Sequence, residues 1–364
     1  MSGNKDILRR FDRTAAVKFV KSLLKWNRTQ NKREMPWKGE KDPYKIWLSE
    51  IILQQTRVEQ GLAYYEHFVS QYPAVKDLAL APEQEIFKLW EGLGYYTRCK
   101  NLIHTAKHIH FELNGIFPHD HASILSLKGI GGYTAAAISS FAYNLPYAVL
   151  DGNVFRVLSR IFDVDVPIDT TQGKALFSDL AQSIIPPKEA AAYNQAIMDF
   201  GATICKPVPE CAICFFNTNC SAFLQNKQLS LPVKLKKLLV KERWLNYIIL
   251  KYKNQYAIRQ RVGKDVWQSL YEFLQMETKK AIAPKKLFPL LQNNYEFDVD
   301  KLSLLDESTF KQRLSHQLIH FHFLVVEAPK RPNLPESFIW VKASELASYP
   351  FPKTLQHYIG AYLL

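Results

Sequence analysis

From residue 13 to about residue 224, apolar side chains return every three or four positions, the spacing that lines one face of a helix. The stretches 15–26, 45–56, 83–90, 99–112, 133–142, 153–162, 174–185 and 190–203 carry this spacing, and each predicts an amphipathic helix. Between them stand residues with turn chemistry: Pro73, Pro82, Pro118, the run Gly129-Ile130-Gly131-Gly132, Pro146 and the pair Pro186-Pro187. Past residue 241 the texture changes. Segments 244–252, 255–260, 318–327 and 338–342 are aromatic and β-branched and predict strands, whereas 353–363 returns to helical spacing. The pattern therefore predicts a mainly α-helical region over 1–224, a basic linker over 225–241, and a smaller α+β domain over 242–364.

Composition narrows the class. Of 364 residues, 47% are apolar and 22% charged, enough for two cored domains and too apolar for a disordered chain. No apolar run approaches the ~20 residues of a membrane helix, and the N-terminus MSGNKDILRR lacks a signal-peptide core. The expectation is a soluble, intracellular protein with no membrane partner. A net charge of +13 predicts attraction to a polyanion, nucleic acid first. Residues 225–265 hold eleven Lys/Arg against two acids, which predicts a phosphate-contacting surface there. A merely basic solvated surface is the plainer alternative.

Four short constellations carry candidate chemistry. The first is Cys205-x5-Cys211-x2-Cys214-x5-Cys220. Structural zinc usually takes two Cys-x2-Cys pairs held apart by a longer loop, whereas four thiols in one short loop suit a cubane iron–sulfur cluster better. Zinc stays open as the alternative, and the solitary Cys99 reads as a packed core thiol. The second is Leu127-Lys128-Gly129-Ile130-Gly131-Gly132-Tyr133-Thr134 ahead of a small-residue helix. Glycines at such a hairpin let backbone N–H groups approach a phosphate at the helix N-terminus, although a plain helix–turn–helix shows similar glycines. The third is Glu50, with Ile46, Trp47 and Leu53 one turn away on a helix. An acid on an apolar face resists ionisation and suits a general acid, while a lone Glu also pairs with a base or reaches solvent. The fourth is Asp151-Gly152-Asn153-Val154 after the apolar run 148–150. Asp151 fits a helix N-cap, and the helix end also favours its ionised form. One protonated and one ionised carboxyl is the division of labour that cleavage of a glycosidic bond uses.

Together these features resemble the base-excision DNA glycosylases related to endonuclease III, over roughly residues 8–224. Tyr133 stands where bifunctional members carry a lysine. The run Glu50 to Val58, through Gln54, Gln55 and Thr56, is similar to adenine DNA glycosylases of the MutY type, as is a second domain after the cysteines. The resemblance implies a helix-hairpin-helix glycosylase domain with a [4Fe-4S] cluster loop, followed by a Nudix-like domain that reads 8-oxoguanine. It further implies a monofunctional, monomeric enzyme of the cytoplasm or nucleoid, acting on duplex DNA with A:8-oxoG or A:G mispairs. By position it puts the general acid on Glu50, the cation-stabilising carboxylate on Asp151 with Asn153 beside it, and the active-site tyrosine on Tyr133. Arg33, Met35, Trp37 and Lys38 match the adenine-pocket segment, with Met35 and Lys38 as departures. Gln54, Gln55, Thr56, Tyr95, Tyr96, Gly129 and Gly131 match base- or DNA-contacting positions. Cys205, Cys211, Cys214 and Cys220 match the cluster ligands, with five residues between the first two where the family usually has six. Leu314-Ser315-His316 resembles the family's Phe-Ser-His loop, and no Nudix catalytic box follows residue 241. An endonuclease III-like pyrimidine glycosylase and a non-catalytic DNA-binding iron–sulfur protein are the rival readings.

Overall fold

The computed structural model describes residues 13–235, 240–292, 295, 301–314 and 316–364. The chain divides into two compact units, Met1–Leu80 with His104–Lys236, and Ala81–Ile103 with Lys237–Leu364. All eight predicted helices are present within a few residues of the expected bounds.

The first unit is helical. Its core joins Arg13–Thr29, Gly152–Ile161, Thr171–Ile184 and Ala190–Thr203 through residues such as Phe19, Leu23, Val157, Leu158, Phe177, Ile197 and Phe200. Pro43–Leu53 starts at an Asp42 N-cap, whose carboxylate accepts from the Tyr44 N–H, and has Pro43 at its first position. Among the unpredicted helices is Val58–Gln71, where only Gly61, Tyr65 and Phe68 are buried. Such a stripe is too narrow to stand out in sequence. Gly61 lets this helix sit against its neighbour, since a Cβ there would stand 2.8 Å from Leu53 Cδ2. Residues 225–235, expected to belong to a linker, instead pack on this unit. Leu231 is buried in the core, and the Ile168 N–H donates to the Val233 carbonyl.

The second unit is built on a seven-stranded sheet of order β3-β2-β1-β6-β5, with β4 also on β1 and β7 on β2. Its strands are β1 Lys241–Tyr252, β2 Gln255–Gln260, β3 Tyr271–Glu272, β4 Leu274–Thr278, β5 Ser303–Arg313, β6 Gln317–Glu327 and β7 Phe338–Lys342. β1 and β6 run parallel along their whole length, from Lys241 opposite Gln317 to Lys251 opposite Glu327. Leu287 and Leu291 of the helix Pro284–Gln292 cover Ile248, Leu250, Leu324 and Val326 on one face. Tyr358 of the helix Lys353–Tyr358 stacks on Phe323 at 4.2 Å. Among the described residues no helix is long and apolar enough to cross a membrane.

Part of the expected phosphate-contacting stretch is turned to internal use, five of its eleven cations standing in ion pairs. Arg243, 7% exposed, forks onto Asp265 at 2.7–2.8 Å and Glu277 at 2.6–2.8 Å. Arg259 and Arg261 both bind Glu272, Lys227 binds Asp163, and Lys251 pairs with Glu327. Charge counting in sequence missed these partners because most lie tens of residues away.

Candidate active site

Twelve of the residues singled out in sequence converge on one cleft of about 1100 Å³ in the first unit: Arg33, Met35, Trp37, Glu50, Gln54, Gln55, Thr56, Gly129, Gly131, Tyr133, Asp151 and Asn153. Pro43–Leu53 delivers Glu50 to it. The carboxyl is only 7% exposed, and burial pushes its pKa up to about 7. A hydrogen bond from the Tyr133 hydroxyl pulls it back down, and the charge of Asp151 raises it further. A buried acid that still holds its proton near neutrality is equipped to protonate a leaving group.

Asp151 stands at the start of Gly152–Ile161. One carboxylate oxygen accepts from the Val154 N–H at 2.7 Å and the other from Asn153 Nδ2 at 2.8 Å. It therefore caps the helix as expected. Burial raises its pKa, and the bonds from Val154 and Asn153 oppose that rise. Asn153 is held in turn by Arg156, whose Nη2 donates to Asn153 Oδ1 at 2.8 Å and to the Gly201 carbonyl at 2.7 Å. Arg156 Nε donates to the Cys205 carbonyl at 2.8 Å, so a chain of hydrogen bonds runs from the cysteine loop to Asp151.

The hairpin joins His121–Ser126 to Gly132–Tyr143. Gly129 adopts φ +82°, a left-handed conformation that a Cβ would strain. Thr105 Oγ1 donates to the Lys128 carbonyl at 2.8 Å and fixes the turn, while Gly131 leaves the next helix without a side-chain cap. Gln54 Nε2 ties the turn after the Glu50 helix to Thr134 Oγ1 at 3.1 Å. Beside it, exposed Gln55 adopts φ +56°, a conformation few non-glycine residues take without reason.

Two placements, those of Lys38 and Tyr96, differ from expectation. Lys38 does not line the cleft; its Nζ donates to the Arg33 carbonyl and to Asp199 Oδ2 at 3.1 Å. Tyr96 is 5% exposed and belongs to a core, whereas Tyr95 is 47% exposed with the Arg98 guanidinium over its ring. Both belong to the segment 81–103 of the second unit. Leu314 and His316 flank the turn joining β5 to β6, and Ser315 lies outside the described residues. Cys99 is fully buried, as a packed thiol.

Sequence reading passed over Asp199. Its carboxylate has no exposure, yet it lines the cleft and binds Arg33 at 2.9 Å, Asn31 at 2.8 Å and Lys38 at 3.1 Å. The available signal was an acid inside the apolar helix sequence 190–203.

Cys205, Cys211, Cys214 and Cys220 line a single second pocket of the same unit. Burial and the neighbouring sulfurs push the Cys211, Cys214 and Cys220 thiols up. A thiolate set placed this way calls for cationic compensation. Part of it is at hand: Arg160, 2% exposed, donates to the Lys206 and Pro207 carbonyls and sits 3.5 Å from Cys205 Sγ. Among the described residues no group of three or more His, Cys, Asp or Glu side chains is placed to hold a single metal ion. Four thiols lining one pocket are the donor set that iron–sulfur clusters use.

Known proteins bear directly on this geometry. The HhH-GPD superfamily of base excision DNA repair proteins matches residues 48–182, and a NUDIX domain matches 246–361. An adenine DNA glycosylase of Buchnera aphidicola subsp. Baizongia pistaciae is 36% identical over 306 residues, 84% of each chain. That of Buchnera aphidicola subsp. Schizaphis graminum is 31% identical over 342 residues, covering 93% of this chain and 96% of the relative. The adenine DNA glycosylase of Homo sapiens is 37% identical over 214 residues, 56% of this chain and 39% of the relative. Among solved structures, a thermostable thymine-DNA glycosylase aligns with TM-score 0.53 at 28% identity, covering 58% of this chain and 98% of that one. A non-covalent endonuclease III–DNA complex, 18% identical with TM-score 0.51, shares the fold of the helical part.

Proposed function

This chain belongs to the adenine DNA glycosylase family, the base-excision hydrolases that cleave adenine from duplex DNA, and from that premise we propose how its cleft divides the work. Adenine cannot reach a buried acid while stacked, so the nucleotide leaves the helix and enters the cleft, at a few kcal/mol of unstacking. Glu50 protonates the base and makes it a better leaving group. As the C1′–N9 bond breaks, positive charge grows on the sugar, and the Asp151 carboxylate, held by Asn153 and Val154, stabilises it. Water completes an abasic site. Tyr133, where a nucleophilic lysine would be needed for strand cleavage, orients Glu50 through its hydroxyl and leaves the enzyme monofunctional.

The observation that carries this reading is the pairing of a buried Glu50 with a hydrogen-bonded Asp151 in one cleft. Gln55 and Tyr95 contact the duplex, and the hairpin at Gly129–Gly131 takes a phosphate. Cys205, Cys211, Cys214 and Cys220 would hold a [4Fe-4S] cluster, on the loop 205–220 that Arg156 and Arg160 tie to the helix Gly152–Ile161. The second unit reads 8-oxoguanine through the turn Leu314–His316. The test is adenine release from A:8-oxoG and A:G duplexes under single turnover, together with iron and sulfide analysis. Asp151→Asn is expected to cut release to a small but measurable residual rate while duplex binding survives, and the purified protein to be brown with one cubane per chain. Undiminished release by Asp151→Asn would refute the assignment of Asp151. Colourless protein with stoichiometric zinc would refute the cluster.

A further inference from the structure

Residues 144–151, which lead into Asp151, belong to no helix and pair with no strand. A backbone outside helix and sheet has hydrogen-bonding groups to satisfy by other partners. Two side-chain carboxamides supply them. Asn194, fully buried on Ala190–Thr203, donates from Nδ2 to the Tyr147 carbonyl at 2.8 Å and accepts the Val149 N–H at 3.2 Å. Gln182, exposed on Thr171–Ile184, donates from Nε2 to the Pro146 carbonyl at 2.6 Å and accepts the Ala148 N–H at 3.1 Å.

Each carboxamide thus bonds a carbonyl and the N–H two residues later, the pair of contacts that one residue of a parallel strand makes. The two sets are offset by a single residue, so they grip opposite sides of the segment. We propose that Asn194 and Gln182 are positioning residues of the glycosylase reaction, standing in for neighbouring strands and so setting where Asp151 meets the sugar. The proposal rests on the reading of Asp151 as the cation-stabilising carboxylate. Neither residue touches the reacting atoms on this account. Asn194 shares its helix with Asp199, so one rigid element aligns both the Arg33 side of the cleft and the approach to Asp151.

The test uses the full chain with its cluster. Single-turnover adenine release at saturating enzyme is compared with the Kd for a duplex carrying a non-cleavable adenine nucleotide. A displacement on the order of 1 Å can cost about a hundredfold in rate, so Asn194→Ala is expected to slow release by about 30- to 100-fold. Gln182→Ala, at an exposed site where folding is not at issue, is expected to slow it by about 3- to 10-fold. Gln182→Glu keeps the acceptor for Ala148 and loses the donor to Pro146, so it falls between Gln182→Ala and wild type. Kd stays within about twofold in all three, because substrate binding is not what these residues set. In an Asp151→Asn background, adding Asn194→Ala costs less than about threefold, since the group being positioned is already gone. Wild-type rates in Asn194→Ala and Gln182→Ala alongside a slow Asp151→Asn would overturn this proposal alone. Losses that multiply in full on the Asp151→Asn background would overturn it as well. A wild-type rate in Asp151→Asn would overturn the reading of Asp151 and the proposal with it.

Discussion

A carboxyl group that must donate a proton near neutrality has to be kept from losing it earlier, and at Glu50 burial does this at a cost to stability. Its pKa rises from 4.5 to about 7 in the folded chain. A raised folded-state pKa contributes stability below the unfolded value and loses it as pH climbs through the folded one. The shift corresponds to about 3 kcal/mol, withdrawn between pH 4.5 and about 7. Glu50→Gln has no such carboxylate to bury. It is expected to melt higher than wild type at pH 8, with the gap closing toward pH 5, as calorimetry at the two pH values would show. A second residue carries an opposite debt. Asp199 is fully buried and is tolerated because Arg33, Lys38 and Asn31 surround it. Asp199→Asn should destabilise by about 3 kcal/mol, the lower end for breaking a buried pair because both cations are partly exposed. It should also slow adenine release, since Arg33 loses its anchor; an unchanged melting midpoint would contradict this. Glu50 and Asp151 were legible in sequence because a motif frames each. Asp199 was not, because nothing near it in sequence reveals that its three partners lie more than 160 residues away.

At the scale of elements, legibility followed burial. β1 and β6 were evident because both lie inside the sheet and read as continuous apolar runs. β5 was missed: it pairs only with β6, its first five residues are exposed, and SLLDESTFKQR shows little alternation. The hairpin was evident because its glycines are required by backbone geometry. Gly129→Ala forces a Cβ into φ +82° and is expected to cost about 1–2 kcal/mol. It should also weaken duplex affinity, because the turn that aims the Gly132–Tyr143 N-terminus would shift. Thermal unfolding and a duplex titration check the two halves, and unchanged values in both would remove the hairpin from the DNA contact.

On the scale of the whole molecule, a catalytic cleft that grips adenine has little basis for telling 8-oxoguanine from guanine opposite it, because the lesion alters the partner base. On the proposed function, that choice falls to the second unit. Deleting it is a poor test: residues 81–103 cluster with it, and Glu91 accepts from the Phe351 N–H at 3.0 Å and from Gln356 Nε2 at 2.7 Å. His316→Ala is the gentler probe. It is expected to reduce the preference for A:8-oxoG over A:G about fivefold at matched salt, the worth of one hydrogen bond of about 1 kcal/mol. An unchanged ratio would place the reader elsewhere. The central claim, that a buried Glu50 delivers the proton that releases adenine, is tested most directly by the pH dependence of single-turnover release. The rate is expected to hold below about pH 7 and to fall by about tenfold per unit above it, as the acid is lost. Glu50→Gln should retain only a small residual rate without that limb. A wild-type rate that stays level to pH 9, or a Glu50→Gln variant with the same descending limb, would contradict it.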